Sequence, residues 1–200
     1  MENNNTIIIE FTEKDLEEWT EKYFKENPRC RKIPLDTCIV RSLNKMLIIT
    51  NRIVQNNYKQ HYKDYTCFVV AKNGYKNLGI CSADLHVHFT FPTKIRHDID
   101  NMQIKEIMDG YSESGLIVDD DYLHIKSILS TASYEKGITK MVFTFSNCEF
   151  DLEELKLAQE KEKIMKERKS ETMEKNKVIN KDKSIKKNKS TKTKKISKIK

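Results

Sequence analysis

The chain is 200 residues long, 38% hydrophobic, with 37 Lys plus Arg against 30 Asp plus Glu. Its net charge of +7 is lopsided: residues 151–200 hold 18 Lys plus Arg and 9 Asp plus Glu, a net of +9, which leaves −2 for residues 1–150. The basic character therefore belongs to the tail, the first 150 residues suit one domain with a modest core, and no apolar run approaches the ~20 residues a membrane-crossing helix needs.

In chain order, residues 6–11 form a short apolar run. Thr12 is placed to cap a helix, with Asp15 in the third position, and Leu16, Trp19 and Tyr23 line one side of it. Pro28 and Pro34 close that unit. Residues 37–54 read as a hairpin, or as a strand with a turn near Asn51-Arg52. Asn57 then opens a helix with Tyr58, Tyr62, Tyr65 and Val69 in register, an aromatic stripe that reads as core rather than as a base-stacking platform. Gly74 and Gly79 bracket a loop before residues 85–91, whose clean alternation predicts a strand.

Residues 96–121 are the most informative stretch. Asp98 and Asp100 are two apart, so in an extended segment both carboxylates share a face. Asp100-Asn101 sits where a helix N-cap should be, ahead of the stripe Ile104, Ile107, Met108 and Tyr111. Lys105 and Asp109 are four apart and share a face of that helix. Gly110 and Gly115 punctuate its end. Leu116-Ile117-Val118 starts a buried strand that delivers Asp119 and Asp120. Leu123 and Ile125 suggest a further strand, and Met141, Phe143 and Phe145 a final one.

Residues 151–169 lack Gly and Pro and predict a helix with a Glu162–Lys166 pair. Its apolar positions, Leu152, Leu155 and Leu157, stop early, so only the first turns can pack. From residue 170 onward Lys, Asn, Ser and Thr dominate, and the segment is expected to be disordered. It reads either as a nucleic-acid tether or as a solubilising tail.

Unpaired carboxylates repel by roughly 4 kcal/mol at about 4 Å when the effective dielectric is near 20. A fold that gathers several of them therefore commonly holds a cation, and hard ions such as Mg2+ take oxygen ligands. Other chemistry is thinner. His86 and His88 sit on the polar face of their strand; two such histidines can bind zinc, but no further His or Cys follows at recognisable spacing. His97 beside Asp98 and His124 near the acidic triplet could orient a carboxylate or line a site. Five cysteines form no C-x-x-C pair; Cys67 and Cys81 read as core fillers, and with no leader or long apolar segment a reduced cytosolic setting is expected. No Ser, Cys or His lies in an activating motif, and phosphate-cradling glycine loops are absent.

The pattern D-I-D-N, then K-x-x-x-D, then a glycine six residues on, then I-V-D-D, resembles the RusA family of Holliday-junction resolvases over roughly residues 36–146. The resemblance implies an α+β fold with a small mixed sheet packed with helices. Together with the composition and helix pattern of the two ends, it divides the chain into an N-terminal extension with one helix (1–35), a nuclease domain (36–150), a helical extension (151–169) and the basic tail (170–200). Metal ligands would be Asp98, Asp100 and Asp120, with Asp119 as a neighbouring acid, holding Mg2+ or alternatively Mn2+. Lys105 would be catalytic, and Arg96 with the loop residues Asn44 and Lys45, near Ser42, would contact DNA. The family usually has two residues between the Asn and the Lys, whereas here Met102, Gln103 and Ile104 intervene. Ile104 belongs to the apolar stripe, so Lys105 is favoured for the role. The implied activity is hydrolysis of phosphodiesters in four-way or branched DNA, in recombination, repair or phage replication, by a homodimer in a cytoplasmic, nucleoid-associated setting. The alternatives are a branched-DNA binder without activity and a module that meets nucleic acid only through its tail.

Overall fold

Alternating buried and exposed positions in three segments, joined at one edge by a largely exposed fourth, assemble a mixed sheet. The structure is a computed structural model that describes residues 5–30, 48–170 and 172. Strand β1 (Ile7–Thr12) leads into helix α1 (Glu13–Glu26), and helix α2 (Arg52–Lys72) precedes strand β2 (Ile80–Phe91). A 3-10 turn (Ile99–Asn101), helix α3 (Lys105–Ser114) and strands β3 (Ile125–Tyr134) and β4 (Lys140–Phe150) follow. The strand order is β1-β4-β2-β3, with β2 parallel to β3 and β4 antiparallel to both β1 and β2. This is the α+β class with a small mixed sheet.

The chain divides into two units, Met1–Leu155 and Lys156–Lys200. In the first, the inner sheet face carries Ile9, Phe11, Leu85, Val87, Phe89, Met141, Phe143 and Phe145, all at most 1% exposed. Against it stand the tyrosine stripe of α2, with Tyr58, Tyr62 and Tyr65 buried, and Ile107, Met108 and Tyr111 of α3. Tyr111 sits edge-on to both Phe143 and Phe145, at 5.4 Å each. Such aromatic pairs add about 0.5–1.5 kcal/mol beyond their area burial. β1 and α1, expected as an N-terminal extension, supply Phe11, Leu16 and Trp19 to this same core. In the second unit residues 156–170 are helical, and Lys166 meets Glu162 at 2.8 Å.

Local chemistry explains the element ends. Thr12 accepts from the Asp15 amide while Asp15 accepts from the Thr12 amide, the capping box that starts α1. α2 begins at Arg52 rather than Asn57, because the Asn51 side chain accepts from the amides of Ile53 and Val54. The turn expected near Asn51-Arg52 is thus a helix cap. Residues 37–47 of the expected hairpin, including the loop with Ser42, Asn44 and Lys45, and the tail beyond 172 lie outside the described residues, and residues 48–50 form no strand. Asp151 caps the helical residues after β4, accepting from the amides of Glu153 and Glu154, and Leu155 is buried while Leu152 is exposed.

Two glycines have tertiary reasons. Gly110 lies inside α3, not at its end: a Cβ there would stand 2.6 Å from the Cβ of Thr66, so it sets how closely α3 crosses α2. Gly115 is the true terminus, left-handed at φ 72°. Strand β3 forms one edge of the sheet, with Ile128 and Leu129 more than half exposed.

Candidate functional site

The apolar stripe of α3 fixes where its polar face points. Ile104 packs partly buried against the core, and Ile107, Met108 and Tyr111 are buried. Lys105, 68% exposed at its side chain, is turned outward beside Asp109, so Lys105 and not Ile104 is available for chemistry. Its Nζ lies 3.2 Å from Asp109 Oδ1 and 3.8 Å from Asp120 Oδ2. Lys63 of α2 reaches the other oxygen of Asp109 at 3.1 Å. Next to it, buried Glu106 accepts from Gln103 Nε2 at 2.6 Å and faces Lys59 Nζ at 3.7 Å. Three lysines and three carboxylates from α2, α3 and the loop after α3 thus share one patch.

The electrostatics within it are uneven. Burial works against the charge of Asp109, but the hydrogen bonds and charges of Lys63 and Lys105 outweigh burial and hold its carboxyl below the ordinary value. Its bond and charge in turn raise Lys105, with Asp120 adding to the effect. Asp120 behaves oppositely. Burial raises it, and Lys105 offsets this only in part, because the carboxylates of Asp109 and Asp119 push the same way as burial. A carboxyl raised by desolvation and like charges beside a lysine is a recurring feature of functional sites as a class.

The approach to Asp119 and Asp120 differs from the strand expected for Leu116-Ile117-Val118. These three residues are buried, but their strand pairing is limited to an isolated parallel bridge, Ile117 with Ile80, in which Ile80 N donates to Leu116 O at 2.8 Å and Val118 N to Ile80 O at 2.9 Å. The bridge suffices to carry the following carboxylates toward Lys105. Asp119 turns back on its own chain, its Oδ1 accepting from the Asp120 amide at 2.8 Å.

The other half of the motif stands apart. Asp98 and Asp100 do not open a helix; they flank Ile99 in and before a 3-10 turn, and α3 starts four residues later with Ile104 as a cap that offers no side-chain bond. Asp98 is 64% exposed at its side chain and meets Arg96 at 3.7 Å, while Arg96 is 94% exposed. Asp100 is exposed as well. Carboxylate oxygens are the right donors for Mg2+, but among the described residues no three His, Cys, Asp or Glu side chains are grouped to hold a metal ion. Asp98, Asp100 and Asp120 therefore do not fit a shared ion in this arrangement.

The remaining candidates have structural partners. His97 stacks on Phe91, ring centroids 4.0 Å apart and planes at 4°. His124 bridges Asp121 Oδ1, at 2.6 Å, and Glu154 Oε1, at 3.3 Å. Burial lowers its basicity, but the bonds to Asp121 and Glu154 outweigh burial and leave it raised. Cys67 is half-buried rather than a core filler; burial pushes its thiol up to about 11, and Sγ donates to Gly110 O. Cys81 is likewise half-buried, and Cys148 is the buried one. Lys59, Lys63 and Glu106 were not singled out in the sequence. Their spacing does hold a clue: Lys59 and Lys63 are four apart on the stripe-bearing helix.

No described helix is long and apolar enough to cross a membrane. Comparison of the chain with protein-family models and with curated proteins gave no match to either.

Proposed function

We propose that this chain is a structure-selective DNA endonuclease similar to the RusA resolvases, hydrolysing phosphodiesters in four-way or otherwise branched DNA. One observation carries the reading: Lys105 and Asp120, motif residues from separate segments, approach to 3.8 Å. In this reading the Lys105 ammonium stabilises charge that develops on the scissile phosphate. Asp109 holds that ammonium in place, and Lys63 limits the negative charge that Asp109 would otherwise present. Arg96, with Asn44 and Lys45, positions the DNA backbone, contacts that carry register rather than sequence. The proposal keeps Mg2+, or Mn2+, as the ion that the resemblance implies, and it assigns the ion no step. A homodimer with two such sites would match the two-fold symmetry of a junction, and a DNA substrate implies association with the nucleoid.

A second reading has its own support. The separation of Asp98 and Asp100 from Asp120 favours a protein that binds branched DNA without cutting it. Nicking of a synthetic four-way junction in Mg2+ and in Mn2+ separates the two. The endonuclease nicks the junction, and Lys105→Ala or Asp120→Asn lowers the rate by about 100-fold or more. Tight, junction-selective binding with no nick in either metal would replace the first reading with the second.

A further inference from the structure

On the outer face of β2, two histidines aim ring nitrogens at one point. His86 Nε2 lies 2.7 Å, and His88 Nδ1 2.8 Å, from Oγ1 of Thr131, which the parallel register sets beside His88 on β3. The ring centroids are 6.3 Å apart with planes at 66°, so the rings converge on that oxygen from different directions. The far nitrogen of His88, Nε2, is tied to Ser133 Oγ at 2.8 Å. A hydroxyl has one proton and two lone pairs. Thr131 can therefore donate to only one of the two rings and must accept from the other.

A point approached by two imidazole nitrogens suits a cation of borderline softness, for which imidazole is a preferred ligand. Metal–nitrogen bonds run about 2.0–2.1 Å, so each ring needs to close by only about 0.7 Å on the place the hydroxyl now takes. The sheet already holds both rings: successive outward positions of one strand share a face, and His86, His88 and Thr131 are half-buried. Little ordering is left for binding to impose. Lys140, paired in register with Thr90 on β4, is the charged group beside His88, and Asp84 on the same face is engaged by Ser127 and Asn147.

We propose that His86 and His88 form a two-imidazole site for a borderline divalent cation such as Zn2+, Ni2+ or Cu2+. The Thr131 hydroxyl turns away and gives up the ring nitrogens, and water fills the other positions. The site lies on the outer sheet face and shares no residue with the Lys105–Asp120 patch, so it stands independently of the nuclease reading. Its ligands are also of the wrong class for Mg2+.

The test uses the full chain, titrated with Zn2+ in a calorimeter and with Cu2+ in an electron paramagnetic resonance spectrometer. One cation per chain is expected, with two nitrogens in the Cu2+ spectrum. His86→Ala and His88→Ala should each weaken binding at least about tenfold, and His86→Gln, which preserves a partner for Thr131, should do the same without a folding loss. Thr131→Ala should keep or tighten binding, since it removes the competing hydroxyl and frees the place it occupies, and His97→Ala should leave it unchanged. Retention of full affinity in His86→Gln and His88→Ala, or abolition by Thr131→Ala, would overturn the site. Junction nicking in Mg2+ by His86→Gln is expected at the wild-type rate, so a failure of either proposal is read separately from the other.

Discussion

Residues 104–109 and residues 96–101 carry two halves of one motif, and the fold treats them differently. The first half rides on α3, whose buried stripe leaves Lys105 and Asp109 a single direction to face. The second half is exposed at its charged positions: Arg96, Asp98 and Asp100 lie in a polar segment with a three-residue turn, and the ring contact there is made by His97 on Phe91. A side chain is placed as firmly as the apolar contacts of its own element allow. Lys105 meets Asp120 because burial on either side, at Ile107 and at Leu116 to Val118, fixes both backbones.

The largest test of this contrast targets the anchoring. Gly110→Val inserts side-chain carbons where even a Cβ would stand 2.6 Å from Thr66, so α3 must shift away from α2. Overpacking of this kind costs about 1–3 kcal/mol, and a chemical-denaturation midpoint that fails to fall would remove Gly110 as the reason for the close crossing. Next come the carboxylates. Asp98→Asn and Asp100→Asn should change stability by less than about 0.5 kcal/mol, as exposed substitutions do. Asp120→Asn should stabilise the protein at neutral pH, because the folded state raises the pKa of Asp120 and so disfavours its charged form. The sign follows from linkage: a carboxyl raised on folding binds its proton more tightly in the native state, and its contribution to stability falls as pH rises from the unfolded value of about 4. If all three variants behaved alike in thermal melts, the distinction between the two halves would fail.

The smallest expected effect is at His124. Its folded value is raised, so its stabilising link to Asp121 and Glu154 is fully present below the unfolded value of about 6.5 and is lost as pH rises through the folded one. His124→Gln should flatten the stability profile in that window, and an unchanged slope would show that the bridge does not titrate as described.

What could be read from the sequence follows how local the cause was. The capping box at Thr12 and Asp15 needs three residues, and the tyrosine stripe of α2 and the alternation of β2 need only a repeat; all three are legible. The start of α2 is not, because β-branched Ile53 and Val54 suit a strand as well as a helix, and the Asn51 cap decides between them. Gly110 reads as a helix terminator until Thr66, 44 positions earlier, supplies the crowding that requires it. Lys105 was separable from Ile104 through the apolar stripe alone. The meeting of His86 and His88 at Thr131 was hidden, since it depends on the register of two strands 45 and 43 residues apart.

Strand β3 has a practical consequence. Its ten residues carry a single charge, Lys126, and among the described residues no further strand pairs with its outer rim, next to exposed Ile128 and Leu129. Uncharged rims of this length invite strands from other molecules. Concentrated samples should therefore self-associate by adding strands here, and a Lys in place of Ser130 should keep them dispersed in light scattering.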